Sequence, residues 1–302
     1  MKLDVRQDLE VRVAASCDAL LGESPLWSSR DELLYWVDIK NPRLFRHDLA
    51  SGETRITTLS EPVGGIGLRR GGGLIAAARS GLAFIDGSDH LAAPFARPEA
   101  DRPGNRFNDA KCDRFGRFFA ASMDDGESAA TGNLYRIEPD LGVRRLEGGF
   151  VIGNGLGWSP DDRTFYFTDS AARRIFAYDY DPSTGRISNR RVFATVPEEA
   201  GFPDGLCVDA EGCVWSAHWD GACLTRYAPD GRPDVVVSLP VPRPTSCCFG
   251  GPQLDILFVT SARIGLSAAD LARYPLSGSI LALEPGVRGL AEVEFAGGPP
   301  SS

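Results

Sequence analysis

The chain has 302 residues, 43% hydrophobic and 24% charged, which is enough apolar material for a large core and excludes disorder for its bulk. Its 34 glycines and 21 prolines interrupt helices too often for a helical bundle and favour short strands joined by turns. A net charge of −9 with no local basic patch excludes a phosphate-backbone partner, so no nucleic-acid role is expected.

Residues 1–13 mix charges every second or third position and contain no apolar run of the kind a secretory signal or membrane span needs, so a cytoplasmic location without a membrane partner is expected. The cysteines Cys17, Cys112, Cys207, Cys213, Cys223, Cys247 and Cys248 form no C-x-x-C pair and suit buried, reduced thiols. Cys247 and Cys248 are adjacent, and on a strand they point to opposite faces.

From there the chain repeats one unit six times: a small polar or glycine-containing segment on a short apolar strand, then an aromatic-rich strand. The first copy runs Gly22-Glu23-Ser24-Pro25-Leu26-Trp27 into residues 33–38, and the second starts at Val63-Gly64-Gly65. The third starts at Arg106-Phe107-Asn108-Asp109, and the fourth at Gly153-Asn154-Gly155-Leu156. The fifth starts at Pro203-Asp204-Gly205, and the sixth at Ser246-Cys247-Cys248-Phe249. Taking Glu23, Gly64, Asn108, Asn154, Asp204 and Ser246 as equivalent, the spacings are 41, 44, 46, 50 and 42 residues, the length of a four-stranded propeller blade. Two further strands per repeat are legible, for instance residues 43–48 with 53–56, and 174–179 with 191–193. The pattern predicts an all-β fold, a six-bladed β-propeller of four-stranded blades forming a single domain over residues 1–302. Residues 9–13 and 293–295 remain to close the ring by pairing of the termini, which removes an exposed strand edge. One short helix is expected over residues 267–274, capped by Ser267.

The first strand of each propeller blade lines the central channel, so equivalent positions of the repeats meet there at one height. Four of the six carry amide or carboxylate oxygens, a set that suits a hard divalent cation. Asn154-Gly155 and Asp204-Gly205 are also common tight-turn dipeptides, and singly each reads as a turn; their shared register with Glu23 and Asn108 favours the cation site. His47, His90 and His218 are too scattered for a histidine-rich site, although His218 ends a strand that could face the same mouth. No G-x-S-x-G, H-E-x-x-H or P-loop motif is present.

The first-repeat segment, Asn105-Arg106-Phe107-Asn108-Asp109, Asn154-Gly155-Leu156, Pro203-Asp204-Gly205 and Thr245-Ser246-Cys247-Cys248-Phe249-Gly250-Gly251 occur in that order. With these segments the chain resembles the regucalcin and gluconolactonase family, also called senescence marker protein-like, over almost its whole length. The resemblance implies one divalent metal cation held by Glu23, Asn154 and Asp204, and substrate held by Arg106 and Asn108. Calcium, zinc, manganese, magnesium and iron(II) all suit oxygen ligands. Some members carry a substrate-binding glutamate in the loop that here reads Met123-Asp124-Asp125-Gly126-Glu127; Asp124, Asp125 and Glu127 are the candidates, the two aspartates reading first as loop solvation.

The expected activity is metal-dependent hydrolysis of a small-molecule sugar lactone, an aldonolactone such as glucono-, xylono- or arabinonolactone, to the aldonic acid. Asp204 is the candidate catalytic base, with water activated by the cation itself as the alternative. Two other readings are a non-catalytic divalent-cation (calcium) binding propeller and a phosphotriesterase or esterase on the same fold. Trp219 is left between stacking on a sugar face and capping a blade. The sequence carries no signal of oligomeric state.

Overall fold

The computed structural model describes residues 4–6 and 9–298; the outermost residues of the expected 1–302 unit, with residues 7 and 8, lie outside the described residues. Six antiparallel sheets stand around one axis. The first blade comprises Gly22–Ser28, Leu33–Asp38, Arg43–Asp48 and Thr54–Thr58. The second has Val63–Leu68, Leu74–Ala78 and Gly81–Ile85, its fourth strand reduced to the bridges Leu82↔Ala96 and Ile85↔Leu91. The third has Asn105–Cys112, Phe118–Asp124, Gly132–Ile137 and Val143–Phe150; the fourth has Gly153–Trp158, Thr164–Asp169, Arg174–Asp181 and Arg186–Thr195. The fifth has Phe202–Val208, Val214–Trp219, Cys223–Tyr227 and Pro233–Ser238, with Asp4–Arg6 added in parallel at its rim.

The sixth blade runs Pro244–Gly250, Ile256–Ser261 and Ile280–Leu283, and its outer strand is Arg12–Ala15 from the other end of the chain. The ring thus closes by pairing of its two ends. The C-terminal partner is Ile280–Leu283, however, and not residues 293–295. Those residues belong to a segment that crosses the floor of the ring, bonded to Leu254, Ala210, Leu68 and Gly116 and held by an Arg30–Glu294 pair at 2.6 Å. The expected helix forms at Ala268–Arg273, where Ser267 and Asp270 make a reciprocal capping box.

Burial follows the repeat. Every innermost strand except parts of Asn105–Cys112 and Phe202–Val208 is buried throughout, because its two faces pack on the neighbouring blades, whereas the outermost Thr54–Thr58 is largely exposed. The core therefore lies between blades. Trp27, Trp36, Phe45 and Phe258 fill the space between the sixth and first blades, and Phe119, Trp158, Phe165 and Phe167 that between the third and fourth. Such aromatic pairs each add about 0.5–1.5 kcal/mol beyond their buried area, and Trp36 stacks on Phe45 at 4.8 Å. Cys247 joins the apolar cluster on one side of its strand and Cys248 that on the other, and all seven cysteines are free. Among the described residues no helix is long and apolar enough to cross a membrane.

One irregularity recurs in all six blades. Pairing of the first with the second strand slips at Glu23/Leu26, Val63/Gly65, Phe107/Asp109, Asn154/Leu156, Pro203/Leu206 and Pro244/Cys247. A bulge leaves residues out of the ladder and re-aims their side chains, here at the register where the six strands meet. Neighbouring backbones come very close at this point. A Cβ on Gly205 would lie 2.4 Å from Ser246 Cβ, and one on Gly155, whose φ is +28°, would lie 2.7 Å from the Asp204 carbonyl oxygen. The N-G and D-G pairs are thus strand residues at a close approach and not hairpin turns.

Gly155→Ala is expected to destabilise the protein by about 3 kcal/mol, through overpacking against backbone and the left-handed φ together. Chemical denaturation tests this, and a midpoint equal to that of the parent chain would contradict the packing argument.

Candidate active site

Each inner strand begins at the same end of the channel, and there the bulges turn their polar side chains inward. A cavity of about 520 Å³ opens at this end. Glu23, Arg106, Asn108, Asn154 and Asp204, the five candidates from the sequence, all line it, contributed by four different blades. Gly64 and Ser246, the remaining equivalent positions, do not reach it; they leave room for the others. Leu21, Met123, Ile152, Phe202 and Ile264 supply apolar wall, and Lys40, Glu127, Trp219 and Arg243 stand among the lining residues.

The carboxylates of Glu23 and Asp204 are buried together at the cavity base. Asn154 Nδ2 donates to Asp204 Oδ1 and, at 3.2 Å, to Ser170 Oγ. Glu23 Oε2 accepts from the Ser24 backbone N–H at 3.3 Å. Among the described residues neither carboxylate has an ion-pair partner; the Arg106 charge pulls in the favourable direction on both but is outweighed. Burial raises the Glu23 carboxyl well above the usual range, and the charges of Asp204 and Asp109 act in the same sense. Asp204 is raised by burial first and by Asp109 next. Two buried carboxyls with no ion-pair partner among the described residues, next to an amide, fit a divalent cation that takes oxygen donors. No group of three or more His, Cys, Asp or Glu side chains among the described residues has metal-holding geometry, so any such centre depends on the Asn154 amide.

Arg106 is held on three sides. Its Nε donates to Asp125 Oδ1 at 2.8 Å, and its Nη1 donates to Asn108 Oδ1 at 2.6 Å and to the Phe107 carbonyl at 3.1 Å. Asn108 Nδ2 donates to the Gly153 carbonyl at 3.0 Å. Among the described residues Nη2 of Arg106 has no hydrogen-bond partner, and the residue lines the cavity. Asp125 also takes Lys40 at 3.0 Å and Arg79 at 2.9 Å. Burial works against its charge, but the hydrogen bonds from Arg79, Lys40 and Arg106 hold its carboxyl well below the usual range.

The three loop candidates therefore separate. Asp124 accepts from Ser128 and Ala129 and only shapes the loop; Asp125 anchors Arg106; Glu127 lines the cavity. Sequence spacing did not mark Asp125, because its partners Lys40, Arg79 and Arg106 come from three blades. His218 does not face the mouth. It is buried with its ring hydrogen-bonded to the Ala200 carbonyl at 3.0 Å and Tyr227 Oη at 3.3 Å, and burial lowers its pKa to about 4. Trp219 does line the cavity, with the Arg243 guanidinium 4.8 Å from its ring centre.

A propeller with carboxylate, amide and guanidinium groups converging at one channel mouth has counterparts among known proteins. The sequence profile described as "SMP-30/Gluconolactonase/LRE-like region" matches residues 21–263, and the chain belongs to this family. It is 37% identical over 284 residues to regucalcin from Xenopus laevis, covering 92% of this chain and 95% of that protein. The crystal structure of a calcium-binding protein, regucalcin from Agrobacterium tumefaciens, superposes with a TM-score of 0.92 at 28% identity over 98% of this chain and 99% of that one. A luciferin-regenerating enzyme superposes with a TM-score of 0.88 at 29% identity, covering 95% and 99% of the two chains.

The buried acids make stability depend on pH. Burial pushes the Asp109 carboxyl from its ordinary 3.8 up to about 6, against the pull of Lys111, so the folded chain holds a proton that the unfolded chain releases near 3.8. Its contribution is greatest below that lower value and is lost as the pH rises through about 6, by about 3 kcal/mol for this group alone. Glu23 and Asp204 shift in the same direction. Chelator-treated protein should therefore lose denaturant resistance between about pH 4 and 6. Asp109→Asn should flatten that profile, and a flat profile in the unsubstituted chain would contradict the reading.

Proposed function

We propose that the protein is a divalent-cation-dependent lactonase that opens a sugar lactone to the aldonic acid. The observation that carries this is the pairing of Glu23 and Asp204, buried with no ion-pair partner among the described residues, beside the Arg106 guanidinium, which lines the same cavity and keeps one nitrogen without a hydrogen-bond partner there. Glu23, Asn154 and Asp204 would hold the cation. When bound, the cation supplies a Lewis acid for the ester carbonyl and for the negative charge that develops on its oxygen.

The chain's own residues account for the rest. The cavity is large enough for a five- or six-carbon ring, and its walls combine the apolar Met123, Ile152 and Phe202 with polar groups. Arg106 Nη2 donates to the ring hydroxyls or the carbonyl region. Asn108 holds the Arg106 fork in place while its own amide is anchored on Gly153. Trp219 offers a ring face for the sugar. Asp204 accepts a proton from the attacking water as the water oxygen bonds to the carbonyl carbon. The carbon–ring oxygen bond then breaks, the proton passes to the ring oxygen as it becomes a hydroxyl, and the new carboxylic acid ionises. Net acid is released, and that is the quantity to measure. The likeness to the Agrobacterium regucalcin, a calcium-binding protein, supports a second reading in which the cation is bound without turnover.

A pH-indicator assay on a panel of five- and six-carbon aldonolactones, with a no-enzyme control for spontaneous opening, separates the two. Hydrolysis should require added cation. Asp204→Ala and Glu23→Ala should lower kcat/KM by about 10³-fold or more, the range for loss of a charge-stabilising group. Arg106→Ala should act mainly through KM. A chain that binds cation and gains thermal stability but opens no lactone would favour the non-catalytic reading.

A further inference from the structure

Below the candidate ligands the channel continues, and its contents are also charged. After the bulge in Asn105–Cys112, Asp109 and Lys111 lie two residues apart, on one face of the strand, and follow Asn108 towards the floor. Asp109 is buried, and its Oδ1 accepts from the Ala110 backbone N–H at 2.7 Å. Lys111 Nζ is 3.2 Å from Glu292 Oε1, and Glu292 belongs to the segment that crosses the floor. Asp109, Lys111 and Glu292 line a small cavity of about 10 Å³ with Ser24 and Ser246, room for about one water and separate from the large cavity at the mouth. Among the described residues Asp109 has no ion pair, and Glu292 pairs only with Lys111.

We propose that Asp109, Lys111 and Glu292 form a charged column that sets how tightly the channel holds its cation. The proposal rests on the cation reading above and concerns residues outside its ligand set. Asp109 acts as a third negative charge beneath Glu23 and Asp204, felt by the cation without ligating it. Its influence on both carboxylates is already apparent without a cation, since it is the largest charged contributor to the rise of Asp204. Lys111 opposes it with a positive charge in the same channel. Glu292 offsets Lys111, so a side chain near the C-terminus acts on the site from the opposite face of the ring. Asp109 is buried and Lys111 and Glu292 are partly buried, so solvent screens these fixed charges less than at an open surface and they act over several ångströms.

The test is isothermal titration calorimetry of calcium chloride, and separately manganese chloride, into chelator-treated full-length protein at a pH of about 8, where free carboxylates are ionised. Asp109→Asn, which keeps shape and removes charge, should weaken binding about tenfold, and Glu292→Gln, which leaves Lys111 uncompensated, about threefold to tenfold. Lys111→Met should tighten binding, and the Lys111→Met/Glu292→Gln pair should return it close to the starting value. The pair tests charge independently of Asp109 should Asp109→Asn fail to fold. Unchanged affinity in a folded Asp109→Asn protein, or tighter binding in Glu292→Gln, would overturn the column while leaving the ligand set intact. A parent chain that takes up neither cation would remove the centre itself, and the column with it.

Discussion

Six strands converge on one axis, and the space at their crossing cannot hold a side chain from every one of them. Much of the protein follows from how that crowding is relieved. Each inner strand bulges at the same register, and small residues stand where backbones come closest: Gly64 against Phe107, Gly155 against Asp204, and Gly205 against Ser246. The space thus spared is given to Glu23, Arg106, Asn108, Asn154 and Asp204. A symmetric scaffold thereby presents an asymmetric set of functional groups, with the polar side chains on the first, third, fourth and fifth blades.

Crowding also concentrates charge. Glu23 and Asp204 are buried near each other with no ion-pair partner among the described residues, so part of the stability built up between the blades is set against their desolvation. The aromatic layers that supply that stability, such as Trp36 on Phe45 and Phe119 against Trp158, lie away from the axis. The arrangement separates the part of the molecule that stabilises from the part that is strained. The guanidinium of Arg106 is handled differently: Asp125, Asn108 and a backbone carbonyl hold it at the cavity wall with little conformational freedom.

The two faces of the ring are unlike. At the mouth the cavity is wide and lined by loops from several blades, whereas at the floor residues 288–296 bond to turns of the second, third, fifth and sixth blades and leave only small spaces of about 10 and 60 Å³. Phe295 is fully buried among Phe118, Phe84 and their neighbours, which fixes this segment by packing as well as by backbone bonds. Family membership gives this geometry its context, since regucalcin and a luciferin-regenerating enzyme share the fold at high overlap. The individual roles rest on the local chemistry of the side chains.

A repeat with a spacing of 41–50 residues, alternating glycine-rich and aromatic strands, carries the six blades openly, because each blade needs the same apolar faces to pack on its neighbours. The same periodicity brings Glu23, Asn108, Asn154 and Asp204 to one height, and a capping serine marks the one short helix. Periodicity has no bearing on segments outside the repeat. It therefore did not distinguish Ile280–Leu283 from residues 293–295 as the partner that closes the ring, nor reveal that the latter cross the floor. Asp125 and His218 show the same limit: one binds three cations from three blades and the other turns into the core, outcomes decided by contacts between residues far apart in the chain. The sequence by itself determined the architecture and the register of the site, since both follow from local pattern repeated. Only the tertiary structure decided which charges meet, because meeting depends on distances across the ring that no spacing along the chain encodes.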